Sequence, residues 1–281
     1  MVKIKELRKT ALKVLEQTKN DSPLADIDYL FLHMLHFSRE DLILGDKILD
    51  NQQLQLFDNA LTELQRGVPV QYVAGGCEFM SLWFATSKST LVPRADTEIL
   101  VELLIEKFKN KSPLNILDIG TGTGCIAISL AYFLPDAKVF GIDISPEAVK
   151  TAKDNAKVLG VSDRCSFLEW NILKGFPTLP AEMDIVVSNP PYIPDADVLT
   201  LDEKVKDFEP VSALAGGTDG LDFYRKITED VKLAKNGCLA FEVGINQAET
   251  VMSIMKNRFS EIKTEKDLSG VDRVVWGTLK G

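Results

Sequence analysis

The segment Asp184-Ile-Val-Val-Ser-Asn189-Pro190-Pro191-Tyr192 sets an apolar run directly before an amide side chain, two prolines and a phenol. Consecutive prolines remove two N–H donors and fix φ, which leaves carbonyl oxygens aimed outward from a rigid frame. Asn189 adds a side-chain carbonyl acceptor. A planar group carrying an NH2 could donate one hydrogen to Asn189 and the other to the Pro190 carbonyl while Tyr192 packs on its face. Such a nitrogen is a poor nucleophile because its lone pair is delocalised. Two acceptors that bind more strongly as positive charge develops on it would stabilise the transition state selectively. In-line placement against an electrophilic carbon supplies proximity, with no need of a metal or a covalent nucleophile.

A second cluster lies upstream. Residues 115–119 form an apolar run that leads into Gly120-Thr121-Gly122-Thr123-Gly124 and then into the apolar Cys125-Ile-Ala-Ile. A strand entering a glycine-rich turn and then a helix places a ligand at the carboxyl end of the strand, where glycines let the backbone approach it. The spacing is G-x-G-x-G, and no G-K-[ST] follows, which disfavours a pyrophosphate loop and a P-loop alike. Asp143 closes the next strand-like run, where an acceptor carboxylate would meet a ribose diol. Trp170, after Glu169, closes the one beyond it, where an aromatic ring can lie along an adenine. A nucleoside with a charged tail and no phosphate suits this set, and S-adenosylmethionine is such a ligand.

The elements that must carry these residues follow from periodicity. Residues 1–72 read as helix, with apolar positions spaced by three and four, Ser22-Pro23 as a helix start, and Gly45 and Gly67 as helix stops. His33 and His36 share a helix face and read as packing residues. Residues 78–84 and 87–92 read as the two strands of a hairpin, and Thr97 as the cap of a helix after it. Strands are expected at 115–119, 138–142, 166–169, 184–188 and 238–243, alternating with helices as in a parallel sheet covered on both faces. Residues 262–265 and 271–279 follow each other closely, so the sheet should end in an antiparallel pair.

Composition narrows the partners. The chain has 281 residues with 32 Lys+Arg against 41 Asp+Glu, a net charge of -9, so no global field draws polyanions. Residues 21–65 hold nine acidic and two basic side chains, and the stretch after Tyr192 holds Asp195, Asp197, Asp202, Glu203, Asp207 and Glu209. Residues 3–19 are basic and amphipathic, as in a packed surface helix. The four cysteines form no C-x-x-C pair, and no apolar run spans a bilayer, so a cytoplasmic protein is expected.

With Gly120 to Gly124, Asp143 and the Asn189–Tyr192 tetrad in hand, the chain resembles class I methyltransferases acting on planar nitrogens: DNA adenine, ribosomal RNA guanine and protein glutamine enzymes. Gly67-Val-Pro-Val-Gln71-Tyr72 and Leu91-Val-Pro93-Arg94-Ala95-Asp96-Thr97-Glu98 are similar to the linker of one branch, the peptide chain release factor glutamine methyltransferases. Glu209-Pro210, Asp219-Gly220-Leu221, Phe241-Glu242-Val-Gly244 with Gln247, and Asp272-Arg273 extend the match. The resemblance implies an α/β, seven-stranded Rossmann-like methyltransferase sheet with an antiparallel last strand. A helical substrate-docking domain (1–72) and a β-hairpin linker (73–92) would precede the S-adenosylmethionine-binding methyltransferase domain (93–281). The cofactor would lie on Gly120, Thr121, Gly122, Thr123, Gly124, Asp143, Trp170 and Asn189, with no metal. Asn189, Pro190, Pro191 and Tyr192 would hold the glutamine of the Gly-Gly-Gln loop of a class 1 release factor. N5-methylglutamine and S-adenosylhomocysteine would be the products of a monomeric enzyme with no stable nucleic-acid or membrane partner. Glu169 departs from the usual Asp, and Ala95-Asp96 from the usual Pro-Glu. Arg94, Glu98 and Glu242 come with the motifs, but spacing supplies no role for them. A nucleic-acid amino-methyltransferase, a ribosomal-protein glutamine methyltransferase and an inactive cofactor-binding module are the competing readings.

Overall fold

In a computed structural model of the chain, residues 2–281 are described, apart from the side chains of Glu203 and Lys204. They form two compact units, one running up to Cys77 and joined by residues 202–208, the other comprising 78–201 and 209–281. The Glu203 side chain, part of the acidic stretch noted above, lies outside the described residues.

The first unit is helical. A two-residue strand, β1 (Val2–Lys3), leads into α1 (Ile4–Leu15) and α2 (Pro23–Tyr29), which continues as a π-helical turn over Leu30–Met34. Then come α3 (Arg39–Leu44), β2 (Ile48–Leu49), α4 (Asn51–Gln65) and the single turn α5 (Val70–Val73). Capping boxes at Ser38 and Asp50 start α3 and α4, and Gly45 ends α3 at φ 66°. The expected all-helical reading misses the antiparallel pairing of β1 with β2. Two residues are too few to show an alternation in sequence. Ile4, Leu15, Ile27, Phe31, Phe57 and Leu64 build the core of this unit.

A hairpin of β3 (Gly76–Phe79) and β4 (Leu82–Ala85), which starts within the last two residues of the first unit's main segment, precedes α6 (Ala95–Phe108). The sequence expectation of strands at 78–84 and 87–92 is corrected here. Met80 and Ser81 both adopt left-handed φ, 51° and 60°, so the turn falls inside the first expected strand. Residues 87–90 instead form a tight turn, in which Thr90 N–H donates to the Ser87 carbonyl at 3.0 Å.

The chain then lays down β5 (Leu114–Ile119), α7 (Cys125–Phe133), β6 (Ala137–Asp143), α8 (Pro146–Val158), β7 (Cys165–Glu169) and β8 (Met183–Ser188). After the short helices α9 (Asp195–Val198) and α10 (Glu203–Lys206) follow α11 (Asp222–Asp230), β9 (Leu233–Glu242), α12 (Ala248–Met255), β10 (Phe259–Lys266) and β11 (Asp272–Leu279). The seven-stranded sheet has the order β10-β11-β9-β8-β5-β6-β7. β5 pairs in parallel with both β6 and β8, while β11, the last strand, runs antiparallel to β9 and β10. Ile116, Leu117, Ile185, Val186 and Val187 are completely buried, as strands covered on both faces require. The helix α7 is buried from Cys125 through Ala131, which accounts for its lack of a polar face. Strand order reverses at β5, and the carboxyl ends of β5 and β8 there flank the crevice where ligands bind in such sheets.

Candidate active site

Residues 120–124 bridge β5 and α7 at that crevice. Their N–H groups are largely turned inward. Gly120 and Thr121 donate to the Ile142 carbonyl at 2.8 and 2.9 Å, Gly124 donates to the Thr121 carbonyl at 2.7 Å, and Gly122 donates to Asp143 Oδ2 at 2.9 Å. A phosphate cradle needs several such donors facing the ligand, so this loop suits a ligand without one. Below it, the buried Asp118 accepts from the Thr121 hydroxyl at 2.7 Å. Burial pushes that carboxyl up to about 7.

The glycines differ in their surroundings. At Gly122 (φ +55°) an added Cβ meets no protein atom within 4 Å, and the residue lines the pocket. At Gly124 (φ +82°) the same Cβ falls 2.7 Å from Ile128 Cδ1 and 3.1 Å from Ala152 Cβ. Gly124 is absent from the pocket lining and lets α7 pack on α8.

Asp143, at the end of β6, accepts from Gly122 N–H with one carboxylate oxygen and from Ser145 N–H with the other, each at 2.9 Å. Each oxygen keeps a further lone pair. Burial raises this carboxyl above the usual range against the lowering effect of those N–H groups. Trp170 follows β7; its backbone N–H donates to the Asp143 carbonyl and its indole N–H to the Gly175 carbonyl, both at 2.8 Å. Held at two points, the ring stands at the pocket wall, 37% exposed.

Asn189, Pro190 and Pro191 continue from β8 and line the same pocket as Gly120, Thr121, Gly122, Thr123, Asp143 and Trp170. Tyr192 does not line it. Its ring packs on Gly244, where a Cβ would fall 2.9 Å from Cδ2, and its carbonyl accepts from Gln247 Nε2 at 2.9 Å. Gln247 Oε1 in turn accepts from Gly244 N–H at 3.1 Å, and the Tyr224 hydroxyl donates to the Glu242 carbonyl at 3.0 Å. The Phe241-Glu242-Val-Gly244 motif therefore braces the back of the tetrad. Burial first, and the nearby Glu242 next, push the Tyr192 phenol up to about 12, so it holds its proton at neutral pH.

Three residues gain roles that spacing did not supply. Thr97 is no cap: Arg94 occupies the N-cap position of α6, and Thr97 lies buried inside the first turn. Its hydroxyl accepts from Asn189 Nδ2 at 3.3 Å. Arg94 lines the pocket and its Nη2 lies 2.5 Å from Glu209 Oε1. Glu209 is a buried partner, with a side chain 2% exposed, and does not belong to the solvated acidic surface its neighbours suggested. Burial raises its carboxyl and the Arg94 guanidinium opposes this. The signals were present as motif residues, but only contacts across the fold reveal the pairings.

Residues 110–262 match the family described as a methyltransferase domain, and residues 6–75 match the PrmC N-terminal domain. A release factor glutamine methyltransferase of Clostridium acetobutylicum is 38% identical, covering 100% of both chains. Its counterpart in Flavobacterium psychrophilum is 41% identical over 97% of this chain and 98% of its own. The chain belongs to the release factor glutamine methyltransferases. Among solved structures, the hMettl16 catalytic domain superposes with a TM-score of 0.57 at 12% identity, covering 85% of this chain and 86% of that one. A methyltransferase from Pyrococcus furiosus gives 0.53 at 16% identity, covering 79% of this chain and 98% of that one. Both share the fold alone. No helix among the described residues is long and apolar enough to cross a membrane.

Proposed function

We propose that this protein transfers a methyl group from S-adenosylmethionine to the side-chain nitrogen of the glutamine in the Gly-Gly-Gln loop of class 1 peptide chain release factors. The observation that carries the reading is the convergence, on one pocket at the strand-order reversal, of the glycine loop and Asp143 with Asn189 and Pro190. The pocket fits the cofactor: Asp143 keeps lone pairs for a diol, the loop spends its N–H groups inside the protein, and Trp170 presents a fixed ring. When bound, the cofactor supplies an electrophilic methyl on a sulfonium.

Within this reading Gly120, Thr121, Gly122, Thr123, Asp143 and Trp170 hold the cofactor, and Gly124 sets the entry of α7. Asn189 Oδ1 and the Pro190 carbonyl accept the two N–H groups of the substrate carboxamide. Both acceptors bind the nitrogen more strongly as its charge grows, so they lower the barrier without tightening the ground state equally. Pro191 keeps the turn rigid. Tyr192, with its carbonyl held by Gln247 and its ring on Gly244, anchors the chain beyond the turn.

A glutamine in a loop offers few contacts, so the remaining binding energy comes from elsewhere on the partner. The first unit is assigned this docking role. With nine acidic against two basic side chains over residues 21–65, it favours a basic protein surface over bare nucleic acid. The test is incubation with methyl-labelled cofactor and, in parallel, release factor, its Gly-Gly-Ala variant, and total RNA. Label is expected in the release factor only; label in RNA, or equal label in the Gly-Gly-Ala variant, would overturn the assignment.

A further inference from the structure

Glu242 is the last residue of β9. Ser188 and Phe241 are paired in the parallel ladder of β8 and β9, so the next residue on each strand, Asn189 and Glu242, emerge side by side at the strand ends. The Glu242 carboxyl is buried, 3% exposed. It lies beside the Thr97 hydroxyl and the Asn189 side chain, both of which favour its ionised form, while its Oε2 has no hydrogen-bond partner among the described residues. Thr97 completes a triangle, since its hydroxyl also accepts from Asn189 Nδ2 at 3.3 Å. Arg273 is nearby but engaged elsewhere, 3.0 Å from Asp96 and 3.0 Å from Asp267. Burying an acid with one oxygen unsatisfied costs free energy that a leucine would not, so its presence calls for a function.

We infer that Glu242, together with Thr97, is a positioning residue that locks the Asn189 carboxamide with its NH2 turned into the protein and its carbonyl oxygen turned to the pocket. A carboxamide is nearly symmetric in shape and can rotate by half a turn, which exchanges donor for acceptor. In the wrong orientation Asn189 presents an NH2 to the substrate's NH2, and the acceptor is lost. A hydroxyl alone cannot choose between the two, because it donates or accepts as required. An ionised carboxylate only accepts, the state Glu242 reaches as pH rises through about 7. With the Thr97 proton directed to Glu242, both neighbours of Asn189 are acceptors, and only the NH2 can face them. Glu242 is not among the residues lining the pocket, so its effect passes through Asn189.

The inference rests on the reading of Asn189 as acceptor for the glutamine amide, and its test separates the two. Wild-type transfer to release factor examines the reading. The Glu242→Leu variant should then lose about 100-fold in kcat, comparable with the loss of one transition-state hydrogen-bonding group, with the cofactor Kd unchanged within threefold. Glu242→Gln, nearly isosteric, guards against a folding failure. The decisive variant is a swap. Asn189→Asp keeps the pocket-facing acceptor but sets a carboxylate against Glu242, and should be poorly active; adding Glu242→Gln restores a donor–acceptor pair with its polarity reversed. The double variant should exceed Asn189→Asp by tenfold or more in kcat. A Glu242→Leu loss below tenfold, a loss confined to cofactor affinity, or a double variant no better than Asn189→Asp would each overturn the inference. Side-chain amide NMR gives a readout that needs no substrate. The Asn189 NH2 signal, assigned by its disappearance in Asn189→Asp, should exchange slowly with solvent in the wild type and rapidly in Glu242→Leu, and equal rates would refute the lock whatever the substrate proves to be.

Discussion

Gly122→Ala and Gly124→Ala make equal chemical changes two residues apart in one loop, yet their consequences should be opposite in kind. At Gly122 the backbone is left-handed at φ +55°, so alanine carries the left-handed penalty of about 1–2 kcal/mol. Its methyl meets no protein atom within 4 Å and stands on the pocket wall. Stability should fall by that amount only, whereas the cofactor Kd should rise at least tenfold as the methyl takes space beside the loop. At Gly124 the same left-handed penalty applies at φ +82°, and the methyl also meets Ile128 Cδ1 at 2.7 Å and Ala152 Cβ at 3.1 Å. Overpacking of this kind costs about 1–3 kcal/mol, for a total of roughly 2–5 kcal/mol. For a domain of this size each kcal/mol corresponds to about 2–4 °C, so Tm should drop by roughly 4–20 °C. The cofactor Kd of the folded Gly124→Ala protein should stay within a few-fold. Thermal denaturation and cofactor titration on the same two proteins decide the matter. A Gly124→Ala protein with wild-type Tm and abolished cofactor binding would refute the division of the loop into a ligand-facing and a packing glycine.

Further expectations concern the carboxylates and the brace behind the tetrad. Asp143→Ala should raise the cofactor Kd more than tenfold and also loosen the loop, since Gly122 and Ser145 lose their acceptor; titration calorimetry with protease sensitivity checks both. Gln247→Ala frees both the Tyr192 carbonyl and the Gly244 N–H; the loss of the bond to Tyr192, about 1–1.5 kcal/mol, should lower kcat about tenfold with little change in cofactor Kd, read in steady-state assays. Burial holds the Glu242 carboxyl up at about 7 against its ordinary value of 4.5, with Asp96 adding to the rise and Thr97, Arg273 and Asn189 opposing it. The folded state therefore binds the proton more tightly than the unfolded chain, and the wild type loses stability as pH climbs from about 4.5 through about 7, by about 3 kcal/mol in all. Glu242→Gln cannot titrate, so its stability relative to wild type should grow over that window and level off above it, while the similarly raised Asp118 is common to both proteins and cancels. Urea denaturation of the pair at pH 5 and pH 8 measures this, and a difference independent of pH contradicts it.

The parts of the site legible in the sequence are those made by one strand and the turn after it. The loop 120–124, Asp143 and Asn189-Pro190-Pro191 each sit where a buried apolar run ends, and a parallel sheet brings such ends to one edge. What sequence could not reveal are contacts between distant segments. Thr97 and Asn189 are 92 residues apart, and Arg94 and Glu209 are 115 apart. Thr97 reads equally as a cap, and Glu209 as one more acid in an acidic stretch, until the fold buries them. The hairpin was found but misplaced, because Met80 and Ser81 take the left-handed conformations that Asn-Gly would have announced. Tyr192 shows the opposite error of emphasis. Its position in the tetrad points to the pocket, whereas its ring packs on Gly244 behind it.

The measurement closest to the central claim is single-turnover methyl transfer to release factor at saturating cofactor, comparing the wild type with Asn189→Ala. Transfer should fall at least 100-fold, of the order seen when one group that stabilises developing charge is removed, while cofactor affinity changes by no more than a few-fold. Undiminished transfer from Asn189→Ala, with the label on the glutamine of the Gly-Gly-Gln loop, would contradict the account.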